Sequence, residues 1–409
     1  MPSPTMAASR FGAALPSGSA PIRRACWSCA RTAMLSRRTV SSSHRSRIWC
    51  ATRLRSLAPR SGKDFASNDY LGLAGSTLLH DALREGMALG LPAGSGGSRL
   101  LRGNHPAHEA LEAEAAAHYG TEAALFMATG FAANAAIFAT LPQRGDLVIY
   151  DALIHASAHD GMKLGRAETR AAAHNDPQAF DDAITAWRAC GGTGRAWIAV
   201  ESLYSMDGDR APLGDLAQVA ARHEAILIID EAHATGVFGT GGRGLAEALA
   251  DQPNVITLHT CGKALGCEGA LICAPRVAID FLVNRARPFI FSTAPSPLVA
   301  HMVRKAIGLV ASHDDWREDL FARVAEARSL LAPRLGAAPA DTQILPVIIG
   351  EDARTMRIAS ALQRQGFDIR GIRPPTVPQG TARLRISITR NVTKGDIGAL
   401  SESLDRITI

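Results

Sequence analysis

AILIIDEAHATG (225–236) and VITLHTCGKALGCEGALICA (255–274) decide how this chain folds. Each opens with five or six mostly apolar residues that do not alternate with polar ones, the pattern of a strand covered on both faces. Each then breaks into small residues that carry an acid and a histidine (Asp230, His233) or a lysine (Lys263). Chemistry-bearing residues just past an apolar strand are how α/β proteins place ligand groups, at the carboxyl ends of a parallel sheet. Working outward, DLVIY (146–150), AWIAV (196–200) and GALICA (269–274) repeat the pattern with helix-length segments between them. The alternation predicts an α/β domain on a mostly parallel sheet over roughly residues 90–290.

On the N-terminal side, DFASNDYLGL (64–73) reads as a short strand and turn, and HEALEAEAAAHYG (108–120) as a helix closed by Gly120. Residues 123–143 lack charge and approach membrane-spanning length, but Gly130 splits a strand-like AALFMAT from a helix-like FAANAAIFATL. A buried strand–turn–helix is the better reading, and no spanning segment remains. On the C-terminal side, PFIFSTAPSP (288–297) reads as a junction. Beyond it, ILPVIIG (344–350), a helix at 352–365 and RLRISIT (383–389) predict a smaller α+β domain. The expected organisation is a leader (1–63), a large domain with its N-terminal segment (64–290) and a small domain (291–409).

The formal charge of +6 would suit a nucleic-acid partner, but its distribution removes that reading. Residues 1–63 hold 12 Lys/Arg, 12 Ser and no acid, while the remaining 346 residues carry 32 basic and 38 acidic groups. An Arg- and Ser-rich, acid-free leader has the composition of a transit peptide. A tail, or non-native upstream sequence, fits the same composition. Localisation is therefore expected to be cytoplasmic, or mitochondrial if residues 1–60 are a genuine transit peptide. The leader's Cys26 and Cys29 form a lone CxxC without an apolar framework, so no metal site is expected. Cys190, Cys261, Cys267 and Cys273 are scattered and expected to be reduced.

DEAH (230–233) would mark a nucleotide hydrolase only beside a phosphate loop of the form GxxxxGK[ST]. Gly62-Lys63 is followed by Asp64 and Gly262-Lys263 by Ala264, so that reading fails. Lys263 among Gly, Ala and Cys has two readings. It is a surface lysine on a turn, the usual fate of lysine, or a Schiff-base lysine, which needs a compact amine of adjustable pKa.

The order of Gly130-Phe131, His155, Ser205, Asp230, His233, Thr260 and Lys263, each adjoining a predicted strand end, decides between them. Together with SNDYLGL (67–73), GSGGSRLLRGNHPAHEALE (94–112), TGFAAN (129–134), SMDGDRAPL (205–213), DEAHATGVFGTGGRG (230–244), FSTA (291–294) and IRPPTVPQGTARLRIS (372–387), it resembles the α-oxoamine synthases. These are pyridoxal-phosphate (PLP) enzymes of the fold-type I, aminotransferase-like class, and the likeness is greatest to the 8-amino-7-oxononanoate synthases. It runs from residue 64 to about 405. The fold it implies is a large PLP-binding domain with a mostly parallel sheet, plus a smaller C-terminal α+β domain.

The resemblance implies that Lys263 holds PLP covalently and then removes the substrate α-proton. Asp230 would pair with the protonated pyridine nitrogen. His155 would stack on the ring, and His233 and Ser205 would bond its phenolic oxygen. Amides of Gly130 and Phe131 at a helix N-terminus would hold the phosphate, with Thr260. Ser292 and Thr293 would reach it from the second subunit of a homodimer with shared active sites. Arg385 would clamp the amino-acid carboxylate, with Arg383 on the same strand face as the competing arginine. Asn68, Thr376 and an N-terminal arginine, Arg53 or Arg55 with Arg53 taken first, would help position substrate.

The activity so implied is decarboxylative condensation of L-alanine with a pimeloyl thioester, of coenzyme A or acyl carrier protein, in biotin biosynthesis. Rival readings are a 5-aminolevulinate synthase, glycine C-acetyltransferase or serine palmitoyltransferase type, or a PLP-binding protein without turnover. No nucleic acid or membrane partner is expected. Family members carry an N-terminal helix where this chain has its acid-free leader.

Overall fold

The computed structural model describes residues 62–335 and 341–408. Seven strands make its main sheet: β2 (Ala123–Met127), β3 (Leu147–Asp151), β4 (Glu168–Ala172), β5 (Ala196–Glu201), β6 (Ile226–Asp230), β7 (Val255–Thr260) and β8 (Ala270–Ala274), following β1 (Lys63–Asp64). Their order is β2-β8-β7-β6-β5-β3-β4. Strands β3 to β7 run parallel, and β8 alone is reversed, pairing antiparallel with β7 and β2. Every residue of β2, β5 and β8 is buried. Alternation sends neighbouring side chains to opposite faces. Val148, Ala199 and Ile228 therefore join Ile137 and Phe138 in one core, while Ile149, Val200 and Ile229 join Phe180, Ile184 and Trp187 in the other. Helices cover both faces, as the unalternating strands required.

The sheet ends on a strand that sequence reading missed. β4 is ETRAA, largely exposed and charged, as suits an edge that must not pair with another chain. DFASNDYLGL forms the expected short strand and turn, with the strand confined to its first residue. Only Lys63–Asp64 pairs, parallel to β10 (Phe367–Asp368), and the rest is a chain of turns. Asp64 Oδ1 accepts the amides of Ala66 and Ser67, and Asp69 Oδ1 those of Leu73 and Ala74.

The C-terminal portion supplies a second, antiparallel sheet, β11 (Arg370–Ile372), β12 (Ala382–Ser387) and β9 (Ile344–Gly350), in the order β11-β12-β9. It is not packed separately. One continuous core runs from Phe65, Tyr70 and Leu79, through helices Pro297–Ser312 and Asp314–Leu331, to Leu345, Leu384 and Ile386. Ser61–Ile409 is accordingly one compact unit. Fully burying each such side chain contributes about 1.5–3 kcal/mol. Four cysteines of this portion, Cys190, Cys261, Cys267 and Cys273, are free thiols. Among the described residues no helix is long and apolar enough to cross a membrane, and no His/Cys/Asp/Glu group could hold a metal ion.

The loop after β5 is pinned by an ion cluster. His174 donates from Nδ1 to Asp151 (2.8 Å) and from Nε2 to Asp209 (2.7 Å). Burial alone would lower its pKa, but the two carboxylates outweigh that and raise it to about 10. The folded value lies above the unfolded one of about 6.5. The cluster's contribution is therefore complete below about 6.5 and disappears as pH rises through about 10. In urea unfolding, the stability gap between wild type and His174→Asn is expected to be widest near neutral pH and to close above pH 10. A gap independent of pH would contradict the assignment.

Candidate active site

The parallel strands β3, β5, β6 and β7 end at one edge of the sheet, in Asp151, Glu201, Asp230 and Thr260. Just past those ends stand His155, Ser205, His233 and Lys263. The chain thus delivers four distant segments to one place. A cavity of about 270 Å³ there is lined by Asn68, His155, Ser205, His233, Lys263 and Arg385, among others.

Lys263 Nζ lies 2.7 Å from His233 Nε2. Burial lowers the lysine pKa to about 8, with Asp230 and Glu201 pulling it up and Arg385 pushing it down. His233 is held neutral, its pKa driven well below the usual value first by burial and then by the Lys263 charge. Asp230 accepts the Ala232 amide on Oδ1 and the Asn134 amide on Oδ2, both at 2.9 Å. The other donor of Asn134 goes to Ser157 Oγ (2.9 Å), which bonds His155 Nδ1 (2.8 Å). Because that nitrogen also accepts the Ser157 amide, His155 carries its proton on Nε2. Partial loss of solvent around its ring lowers its pKa and favours its neutral form, although the residue is exposed. One buried amide thus ties the carboxylate to the imidazole.

Helix Gly130–Thr140 starts beside them. Thr129 caps it through the Ala132 amide, and the first-turn amides of Gly130 and Phe131 have no acceptor within the helix. A Cβ on Gly130 would stand 2.8 Å from Thr260 Cγ2, so glycine is what lets the helix N-terminus meet that threonine. Thr260 donates to the Ala232 carbonyl (3.2 Å).

Both arginines of β12 face the loop after β5, and the structure separates them. Arg383 is spent on Asp207 and the Met206 and Thr381 carbonyls. Arg385 reaches the cavity and is aimed by Ser205 O (2.5 Å), Ser387 Oγ (2.7 Å) and Asn68 Oδ1 (3.0 Å). Thr376 lines a different, adjoining cavity of about 540 Å³, with Pro375, Val377 and Pro378, which shares His155 and Ser205 with the first. Ser292 and Thr293 are exposed in the turn before helix Pro297–Ser312 and line neither space. Arg53, Arg55 and the Cys26/Cys29 pair lie outside the described residues. His105 caps helix Pro106–Tyr119, and His108 bonds the Pro295 carbonyl, both ordinary structural uses.

Sequence reading missed two members of the site. Glu201 is fully enclosed beside Asp230, its Oε1 without a hydrogen-bond partner. Burial first, then the Asp230 charge, raises its pKa well above the usual carboxylate value. A charged residue closing an apolar strand was the available signal. Asn134, inside TGFAAN, carried none.

The donor set fits PLP: a half-buried amine for an aldehyde, an acid for a ring nitrogen, a flat imidazole and a glycine-floored helix N-terminus for a phosphate. The comparisons agree. A family model for class I and II aminotransferases matches residues 62–404. The 8-amino-7-oxononanoate synthase of Anaeromyxobacter dehalogenans is 44% identical over 329 residues, covering 80% of this chain and 81% of that protein. That of Aromatoleum aromaticum is 41% identical over 345 residues, 84% and 88% of the two chains. Among solved structures, Sphingomonas wittichii serine palmitoyltransferase superposes with a TM-score of 0.81 at 26% identity, over 90% of this chain and 98% of that one. The Francisella tularensis 8-amino-7-oxononanoate synthase does so at 0.72 and 26%, over 85% and 99%.

Modification of Lys263 by an amine-selective reagent is expected to titrate near pH 8. Asp230→Asn removes a charge that favours the ammonium and should move the midpoint down, whereas Arg385→Gln should move it up. Shifts of the opposite sign would refute this electrostatic account.

Proposed function

The chain belongs to the class I and II aminotransferase family, among the 8-amino-7-oxononanoate synthases, and from that premise we propose how its own residues perform the condensation. The reaction joins L-alanine to a pimeloyl thioester, giving 8-amino-7-oxononanoate, CO2 and the free thiol carrier, a step of biotin biosynthesis. PLP, held on Lys263, supplies an electron sink for negative charge at the amino acid's α-carbon.

The observation that carries this reading is the half-buried amine of Lys263, 2.7 Å from His233 and in one cavity with Arg385. Arg385 presents a planar fork to the alanine carboxylate, and its three protein partners hold it ready. Lys263, with a pKa near 8, is matched to take the α-proton at neutral pH. The α-carbon then bonds to the thioester carbonyl carbon as the carbon–sulfur bond breaks. The carboxylate leaves as CO2, and a proton returns to the same carbon. His155, fixed with its proton on Nε2, would cover the cofactor ring, and Asp230 would keep its ring nitrogen protonated. Gly130, Phe131 and Thr260 would hold the phosphate.

The adjoining cavity bounded by Pro375, Thr376, Val377 and Pro378 suits the acyl chain, because it opens onto His155 and Ser205, where the α-carbon would sit. Ser292 and Thr293 serve the active site of a second copy, and exposed Phe131 and Phe291 are the apolar surface that such a homodimer covers. The carrier is coenzyme A or acyl carrier protein, and the enzyme acts in the cytoplasm. Residues 64–290 and 291–409 act as the large and small domains of this site.

Titrating the PLP-loaded protein with L-alanine, glycine and L-serine tests the assignment. Alanine alone is expected to perturb the visible absorption, and added pimeloyl thioester to yield the oxononanoate. A response to glycine or serine instead would move the chain to a sister activity.

A further inference from the structure

Tyr70 belongs to SNDYLGL, yet neither the sequence reading nor the chemistry above uses it. Its ring is fully buried, and its hydroxyl lies 2.6 Å from Nδ1 of His233, 163 residues away. The opposite nitrogen of that imidazole is the one 2.7 Å from Lys263 Nζ. Around the phenol oxygen stand an acceptor, Asn68 Oδ1 at 3.1 Å, and the donor-bearing side chains of Arg385 and Gln343, the latter already bonded to the His233 carbonyl. Asn68 Oδ1 in turn accepts from Arg385 Nη2.

A neutral imidazole has one donor and one acceptor nitrogen, whereas a hydroxyl is both at once. When the Lys263 amine is charged, it donates to Nε2. Nδ1–H must then donate to Tyr70 Oη, and the Tyr70 proton turns to Asn68. When the amine is neutral, the pattern reverses: Tyr70 donates to Nδ1, its oxygen accepts from Arg385 or Gln343, and Nε2–H points at the lysine. Both arrangements give each ring nitrogen of His233 and the Tyr70 hydroxyl a partner, which is what keeps the two close in energy. Phenylalanine would leave Nδ1 alone in the first state and in the second.

We propose that the Tyr70 hydroxyl is a positioning group for Lys263, letting the buried His233 change tautomer in step with the lysine's protonation. The role of Lys263 is the one given it under the proposed function, but the exchange itself is a property of the protein without cofactor. The charged and titratable groups facing this pair are Asp230, Glu201, Arg385 and His155. Tyr70→Phe keeps all of them and the ring packing.

The test is nitrogen NMR of the full-length, cofactor-free protein with labelled histidine, the His233 signals being identified by their absence in His233→Asn. In wild type, the proton is expected on Nδ1 well below the lysine midpoint of about 8 and on Nε2 well above it. In Tyr70→Phe the charged lysine loses a properly supported acceptor, so the midpoint for amine modification should fall below the wild-type value. After loading with PLP, kcat should drop roughly tenfold or more, as when an orienting partner of a working imidazole is lost, with the KM for alanine unchanged. A wild-type His233 that keeps one tautomer across the titration overturns the proposal, whether or not the variant folds. So does a Tyr70→Phe protein with the wild-type midpoint. A tautomer exchange in protein that takes up no PLP would uphold the proposal and fault the functional reading instead.

Discussion

An ammonium group that has lost much of its water is costly to keep charged, and Lys263 stands half-buried against the wall of the cavity. What sets its proton affinity is the balance between that desolvation and the charges around it. Asp230 and Glu201 favour the ammonium, and Arg385 opposes it. The result is an amine with a pKa near 8, which carries a neutral fraction at neutral pH far larger than that of a solvated lysine. Asp230 and Glu201 are placed by adjacent strands of the main sheet and Arg385 by β12 of the second, so the chemistry depends on both sheets.

The sheet does this with little local machinery. Five parallel strands bring their carboxyl ends to one edge, and the residues past those ends need only short loops to converge. Two buried polar networks then fix the aim of the side chains. One runs from Asp230 through Asn134 and Ser157 to His155, and the other from Lys263 through His233 and Tyr70 to Asn68 and Arg385. Buried networks of this kind hold geometry well only when every member is satisfied. Among the described residues here, Glu201 Oε1 and Gln343 Oε1 are buried oxygens left without a hydrogen-bond partner.

Much of this was legible in the sequence because the signals are local. Apolar runs closed by DEAH or HTCGK mark a strand end and its cargo together, so Asp230, His233, Thr260 and Lys263 could each be assigned to a strand end from sequence alone. The choice between Arg383 and Arg385 could not be made from strand periodicity, since both point the same way. Asp207, 176 residues upstream of Arg383, makes it by occupying that arginine. Glu201 and Asp230 become neighbours only through the register of β5 against β6. Tyr70 meets His233 only because turns at 64–74 dock on the sheet edge. β4, a polar edge strand, offers no hydrophobic pattern to read. Pairings across long sequence separations and edges without apolar faces are where single-sequence reasoning stops.

The central claim is that Lys263, rather than any other amine of the chain, receives PLP. Borohydride reduction of the PLP-loaded protein, followed by peptide mass mapping, measures this directly. The account predicts the pyridoxyl mass on the peptide containing Lys263 in stoichiometric yield, and its loss in Lys263→Ala. Label spread over exposed lysines such as Lys163 and Lys394, with Lys263 unmodified, would contradict it.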